Sequence, residues 1–240
     1  TPMSMTVEQS QELYDIVKSI QPDCLVSGRI GHGIGDYITT SDNKLPAFAI
    51  PQAWELPATL NSSWGYKHFD DNWRTPENVF RELVKVVSRG GNYLLNIGPR
   101  GDGSVPEASI KILDEIGKKL EPIQDAFYGT RVTPNYVYEQ DQFVLTRKPH
   151  KLYIYLLGST NDNRDRGGSE GPLERGFLDL HNIGNEVKSV KCLSHDVEVE
   201  FQDGDDLEGH SYWVLRWEPV EGPMIFELDL AEEDVFMEPI

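Results

Sequence analysis

The sequence predicts an α/β segment with a parallel sheet, followed by an all-β segment that folds as an antiparallel sandwich. Residues 1–130 alternate helical periods with short apolar runs, which is the pattern of βα units in a parallel sheet. Residues 131–240 show short alternating segments separated by turn residues, which is typical of a β-sandwich. We therefore expect two domains, 1–130 and 131–240, with a boundary near Thr130.

The composition is that of an ordinary globular protein. Of the 240 residues, 38% are hydrophobic and 26% are charged, so the chain can bury a substantial core. The net charge of −18 repels phosphate backbones and argues against nucleic-acid binding through a basic patch. No apolar run approaches the roughly 20 residues that a membrane span requires. Two cysteines, Cys24 and Cys192, are too few for a disulfide framework or a cysteine-rich zinc site.

Three helices are predicted in the first segment because each has a start signal, an apolar stripe at helical spacing and a stop signal. The signals are Thr6 with Gln9 and then Pro22 for the first helix, Thr75-Pro76 and then Gly90-Gly91 for the second, and Pro106 and then Pro122 for the third.

Three short apolar runs, 24–26, 53–60 and 93–97, are predicted strands between these helices. Three or four βα units are too few to close an eight-stranded barrel. An open half-barrel would leave an uncovered face and unpaired edges, which parallel sheets rarely tolerate. We therefore expect this domain to be a partial (β/α)8-like barrel, a substantial amino-terminal part of which is not in the sequence.

The second segment contains six strand candidates and one long irregular stretch. Residues 158–176 are rich in Gly, Asn, Asp, Arg and Ser and are predicted to form a mobile surface loop. The strand candidates are Gln142–Thr146, Lys151–Leu157, Val187–Cys192, Val197–Phe201, Tyr212–Trp217 and Met224–Leu228.

The glycine-rich stretch Gly31–Gly35 does not fit a dinucleotide site. Such a fingerprint must open a helix, and residues 36–46 have no helical period. We expect a flexible loop over a pocket instead. The six histidines are scattered without ligand spacing, which makes a zinc site improbable.

The strongest chemical signal is Trp54-Glu55, followed by Ser63-Trp64-Gly65-Tyr66. Aromatic faces and carboxylates are the groups that bind sugars, and glycosidases use two carboxylates. A glutamate beside a tryptophan in a partly apolar cleft could stay protonated and act as a general acid. Composition alone favours the alternative, in which Glu55 is a solvated strand-end residue and the tryptophans belong to the core.

The sequence resembles the α-L-fucosidases of glycoside hydrolase family 29. The similarity covers about residues 10–130 and is most specific in Val86–Pro99 with Asp102-Gly103. The other matching stretches are Gln21–Arg29, Gly35-Asp36-Tyr37, Trp54-Glu55 and Ser63–Tyr66.

This resemblance implies a (β/α)8-like barrel, a retaining mechanism and an Asp nucleophile at the end of the fourth strand, which would precede Thr1. Arg29 matches an arginine that contacts the sugar, and Trp64 matches an aromatic residue near the fucose methyl group. We assign Trp54 to the same substrate-binding cluster.

Family members differ in their general acid. Some use the Trp-Glu position, here Glu55, and others use an acidic residue shortly after Asp-Tyr, where this chain has Ser41 and then Asp42. The serine favours Glu55, with Asp42 as the second choice.

The resulting hypothesis is the acid/base half of a retaining α-L-fucosidase that hydrolyses terminal α-L-fucosyl linkages and is inactive alone. Its partners would be a fucosylated glycan substrate and the remaining barrel half, which could be a separate polypeptide. The resemblance implies no metal or organic cofactor, while the net charge argues against a nucleic-acid partner and the short apolar runs argue against a membrane span. The resemblance favours a secreted, periplasmic or lysosomal location over a cytoplasmic one. The alternative is a non-catalytic carbohydrate-binding or scaffold protein derived from the same fold.

Overall fold

The computed structural model describes residues 4–133, 143–158, 172–181 and 183–236. The chain forms two compact units, Thr1–Ile112 and Leu113–Ile240, which we call unit 1 and unit 2. The domain boundary near Thr130 stays a prediction. Most of the predicted loop 158–176 lies outside the described residues, and of its remainder Pro172–Arg175 form a short helix.

The three predicted helices are present. They are α1 (Val7–Ile20), α2 (Pro76–Ser88) and α3 (Glu107–Leu120), and the division between the units falls inside α3. A reciprocal capping box begins α1, because Thr6 Oγ1 accepts from the Gln9 amide at 3.3 Å while Gln9 Oε1 accepts from the Thr6 amide at 2.9 Å. Thr75 caps α2 by accepting from the Asn78 amide at 3.2 Å.

Unit 1 contains a parallel three-stranded sheet in the order β1-β2-β3, formed by Ile38–Thr39, Trp54–Thr59 and Asn92–Asn96. Thr39 lies opposite Glu55, and Glu55 lies opposite Asn92. The parallel pairing, with α2 connecting β2 to β3, agrees with the predicted α/β class.

The predicted strand Cys24–Val26 is wrong. Only the next residue, Ser27, makes a β-bridge, which is a single parallel pairing with Tyr37. Leu25, expected to be buried, is 68% exposed. One rung on one side is too little to form a regular strand, since a ladder needs successive pairings.

The side chains of β2 alternate between two faces. Trp54 and Leu56 are fully buried and pack with Val86 of α2, and Tyr93 packs against the same cluster. Since neighbouring side chains of a strand point to opposite faces, Glu55 projects from the face away from α2. We call this the inner face of the sheet.

The apolar stripe of α1 is exposed rather than buried. Leu13, Ile16 and Ile20 are 46%, 47% and 74% exposed, and the only fully buried residue of the helix is Ser10. Nothing in the described part of unit 1 covers this stripe.

Unit 2 is a β-sandwich, as predicted. A five-stranded sheet in the order β4-β5-β6-β11-β8 and a three-stranded sheet in the order β7-β10-β9 share one core that includes Ile154, Phe226, Leu180 and Trp213. All pairings are antiparallel. All six strand candidates match strands, although Gln142 lies outside the described residues, and the sequence patterns missed β4 and β7. The strands are β4 (Arg131–Val132), β5 (Phe143–Lys148), β6 (Lys151–Leu156), β7 (Phe177–His181), β8 (Val187–Cys192), β9 (Val199–Asp205), β10 (Ser211–Trp217) and β11 (Met224–Leu230).

Among the described residues, no helix combines the length and apolar character that crossing a bilayer would demand.

Candidate active site

The loops that leave the carboxyl ends of the parallel strands carry most of the candidate residues. Asp42 follows β1, Trp64 follows β2, and Arg29 follows the Ser27 bridge. In parallel α/β sheets the carboxyl ends of the strands form the edge at which ligands bind. Unit 1 therefore presents these three side chains from the edge where a site is expected.

Arg29 and Asp42 form an ion pair. The guanidinium Nη2 donates to Asp42 Oδ1 and also contacts the Thr40 carbonyl at 3.4 Å. Both side chains are about half exposed, so the pair is accessible to a ligand. Arg29 lies in a 3-10 turn, Gly28–Ile30, that Ser27 caps by accepting from the Arg29 amide at 3.3 Å.

The glycine-rich loop has a packing function that the sequence did not reveal. A Cβ on Gly35 would lie 2.8 Å from the Gly28 backbone, and φ of Gly35 is +130°. Both conditions favour glycine. The two ends of the loop can therefore meet closely, which brings the Arg29 turn beside Asp36 and Tyr37.

The segment after β1 continues along β2 towards its carboxyl end. The Thr40 amide donates to the Glu55 carbonyl at 3.0 Å, and the Asn43 amide donates to the Pro57 carbonyl at 2.8 Å. Asn43 Oδ1 in turn accepts from the Thr59 amide at 3.0 Å. Asp42, directly before Asn43, therefore lies further along the strands than Glu55 does.

Glu55 is the second residue of β2, four positions before the last residue of the strand, Thr59. At about 3.3 Å per residue, this is roughly 13 Å from the carboxyl end of β2, although Glu55 lies opposite Thr39, the last residue of β1. Its Oε1 accepts a hydrogen bond from Thr39 Oγ1 at 2.8 Å, and the side chain is half-buried on the inner face.

Trp54 belongs to the core of unit 1. Its ring is 0% exposed, and its Nε1 donates to the Arg89 carbonyl at 3.1 Å. Gly91 packs directly on the ring, since a Cβ there would lie 2.4 Å from it. No ring face is left for a sugar, so the substrate-binding assignment of Trp54 is not supported by its position.

Trp64 and Tyr66 are 41% and 42% exposed, and their backbone is held from β3 and the loop that follows it. Asn96 Nδ2 donates to the Trp64 carbonyl at 2.6 Å. The Arg100 guanidinium lies over the Tyr66 ring at 5.6 Å from its centre. The loop is thus held at the Trp64 carbonyl and at the Tyr66 ring, while the Trp64 side chain remains partly exposed.

Sequence reasoning missed Ser27, Thr39 and Asn96 as contributors. A usable signal was present for Thr39, because a hydroxyl residue beside Tyr37-Ile38 in a short strand suggests a polar partner on the neighbouring strand. Nothing local marked Asn96, whose partner is 32 residues away. Among the described residues, no group of three His, Cys, Asp or Glu side chains could hold a metal ion.

A family model described as α-L-fucosidase matches residues 2–123, which is about half of the chain. The chain belongs to the α-L-fucosidase family. Plasma α-L-fucosidase of Rattus norvegicus is 34% identical over 134 residues, which are 51% of this chain and 28% of that protein. The human plasma α-L-fucosidase is 32% identical over 134 residues, 51% of this chain and 27% of the human protein. This chain therefore matches little more than a quarter of the length of these relatives.

Solved α-L-fucosidase structures resemble both units. The enzyme from Vibrio sp. strain EJY3 superposes with a TM-score of 0.80 at 28% identity, over 93% of this chain and 39% of that one. Isoenzyme 1 from Paenibacillus thiaminolyticus gives a TM-score of 0.78 at 28% identity, over 97% of this chain and 56% of that one.

The most specific fucosidase-like stretch, 86–99, has an evident structural purpose. Val86 fills the core beside Trp54, Gly91 leaves room for the Trp54 ring, and Asn96 holds the Trp64 carbonyl. The family pattern in this stretch therefore shapes the sheet and fixes the Trp64 loop, and none of these three residues needs to touch substrate.

Proposed function

We propose that this chain is the carboxyl-terminal half of the catalytic barrel of a retaining α-L-fucosidase together with its β-sandwich domain, divided near Thr130. The substrate class is the terminal α-L-fucosyl linkage of glycans. The match of the family model to residues 2–123 carries this proposal. The other barrel half, either continuous with this chain or a separate polypeptide, would supply the nucleophilic Asp. The name of the plasma relatives supports a location outside the cytoplasm.

The mechanism would be double displacement. The Asp of the other half attacks the anomeric carbon, while an acid on this chain protonates the departing glycosidic oxygen. The same residue, now a carboxylate, then takes a proton from the water that hydrolyses the fucosyl-enzyme. Arg29 would hydrogen-bond the sugar, and the exposed Trp64 ring would pack against its methyl group.

Asp42 is the acid/base that the geometry supports best, and Glu55 becomes the second choice. Position is the ground for this choice, because a general acid must come within hydrogen-bonding reach of the glycosidic oxygen. Asp42 contacts Arg29 directly, whereas Glu55 is bound to Thr39, the last residue of β1, and is linked to the Arg29 turn through Thr39 and Ser27. A sugar that engages Arg29 would release Asp42 from the ion pair.

The test compares Asp42→Ala and Glu55→Ala in the protein that contains both barrel halves. Loss of a general acid matters most for poor leaving groups, so Asp42→Ala should reduce the hydrolysis of a fucosyl-oligosaccharide by about 10²–10⁴-fold. The loss on 4-nitrophenyl α-L-fucoside should be much smaller, and added azide should restore turnover because azide attacks without being deprotonated.

Asp114→Ala serves as the control, since Asp114 pairs only with an exposed lysine one helical turn away on α3 among the contacts described. Equal losses on both substrates without azide rescue would remove Asp42 from this role. If Glu55→Ala instead shows the leaving-group dependence and the rescue, Glu55 is the acid/base.

A further inference from the structure

Three polar side chains on the inner face of unit 1 form one continuous hydrogen-bond chain. Ser27 Oγ and Thr39 Oγ1 are 2.6 Å apart, and Thr39 Oγ1 is 2.8 Å from Glu55 Oε1. At the other end, Ser27 Oγ accepts from the Arg29 amide at 3.3 Å. The chain crosses three neighbouring segments and ends at the turn that carries Arg29.

The donors in this chain all point the same way. The Thr39 hydroxyl donates to Glu55 Oε1, and a hydroxyl group has only one proton to donate. Thr39 Oγ1 then accepts from the Ser27 hydroxyl, and Ser27 Oγ accepts from the Arg29 amide. Hydrogen bonds aligned in series polarise and strengthen one another. The carboxylate therefore fixes the orientation of both hydroxyl groups.

The fixed orientation matters at Arg29. Ser27 is the N-cap of the 3-10 turn, and its oxygen can accept from the Arg29 amide only if its own proton is directed elsewhere. Thr39 Oγ1 accepts the hydrogen bond that the Ser27 hydroxyl donates. The Arg29 side chain leaves this turn to meet Asp42 and the Thr40 carbonyl.

We propose that Glu55 and Thr39 are positioning residues that hold the Arg29 turn through Ser27. This inference rests on the proposed function in so far as Arg29 binds fucose. It assigns Glu55 a role as a hydrogen-bond acceptor that does not require proton transfer to substrate.

Thr39→Val and Thr39→Ser form the matched pair for the test. Valine keeps the shape of threonine but breaks the chain, whereas serine keeps the hydroxyl group. Hydrogen exchange of the Arg29 amide, followed in this chain by NMR, should become about threefold to tenfold faster in Thr39→Val. It should stay near the wild-type rate in Thr39→Ser. Equal exchange in the two variants would overturn the proposal.

Glu55→Gln and Glu55→Met provide a second arm in the protein with both barrel halves. Glutamine still offers an oxygen acceptor, and methionine does not. Positioning predicts that Glu55→Met raises KM several-fold more than Glu55→Gln does, with little change in kcat, because Arg29 binds the sugar in the ground state as well as the transition state. Similar large losses of kcat in both variants would contradict it.

The proposed fucosidase function and the positioning role of Glu55 and Thr39 can be tested separately. If the two-half protein does not bind L-fucose, the proposed function fails, and amide exchange in the Thr39 variants still decides whether the chain positions Arg29. If fucose binds and exchange is unaffected, only the positioning proposal is lost.

Discussion

Asp36 joins three segments of unit 1 through one carboxylate. Its Oδ2 accepts from the Val26 amide at 2.7 Å and lies 2.9 Å from Lys18 Nζ, while Oδ1 accepts from the Tyr14 hydroxyl at 2.8 Å. The hydrogen bond from the Val26 amide, followed by those from Lys18 and Tyr14, lowers the pKa of Asp36 to about 2. The Asp-Tyr motif thus anchors α1 to the segment before Arg29.

The low pKa of Asp36 makes a prediction about acid stability. A carboxyl group with a depressed pKa in the folded state stabilises the fold above its ordinary pKa near 4, and this contribution is lost as the pH falls towards 2. Asp36→Asn should therefore flatten the decline in stability between pH 4 and pH 2. Urea unfolding, followed by tryptophan fluorescence at several pH values, measures this. Asp23→Asn, at an exposed turn, is the control, and equal slopes in Asp36→Asn and wild type would contradict the assignment.

At the scale of elements, a half-buried polar cluster links the loop of Trp64 to α2 and β3. Arg74 Nη1 lies 2.7 Å from Glu82 Oε2 on α2 and 3.0 Å from the Tyr93 hydroxyl on β3. Tyr93 donates to the same carboxylate oxygen at 2.5 Å. Burial, followed by the charge of Glu82, raises the pKa of Tyr93 above its ordinary range, so the phenol remains a donor.

Replacing Arg74 should lower the free energy of unfolding more than replacing a residue of an exposed ion pair does. Arg74→Met leaves Glu82, only 19% exposed, without its counter-charge and should lower the free energy of unfolding by about 2–3 kcal/mol. Lys118→Met breaks the exposed pair with Asp114 on α3 and should change the free energy of unfolding far less, because solvent screens an exposed ion pair. Chemical denaturation of both variants gives the comparison. A loss for Arg74→Met no larger than that for Lys118→Met would show that the cluster does not hold the loop.

At the scale of the whole molecule, unit 1 leaves apolar surface open. Besides the α1 stripe, Leu25 and Leu94 of β3 are also solvent-exposed, at 68% and 53%. Within the described residues β3 pairs with β2 alone. A parallel sheet is ordinarily covered on both faces, which supports the proposal that a further barrel half packs here.

Local sequence patterns predicted the positions of most helices and strands, but not which of their residues are buried. Caps such as Thr6 with Gln9 act within one helical turn, so they are readable from sequence alone. Burial depends on partners that are distant in the sequence, and local patterns cannot show whether the α1 stripe and Cys24–Val26 have such partners. Family resemblance suggested Arg29 and Trp64 as sugar contacts, and Glu55, with Asp42 as the second choice, as the acid/base. It could not reveal that Trp54 fills the core, because residue type does not specify which face of β2 meets α2.

The most direct measurement of the central claim is the hydrolysis of 4-nitrophenyl α-L-fucoside by this chain alone and by this chain combined with the amino-terminal half-barrel. We expect no turnover by the chain alone and turnover by the combined protein, which Asp42→Ala should reduce far less on this activated substrate than on a fucosyl-oligosaccharide. Hydrolysis by the chain alone at the rate of the combined protein would contradict the division of the site between two halves. A combined protein that folds and carries the nucleophilic Asp, yet hydrolyses no fucoside, would contradict the fucosidase assignment itself.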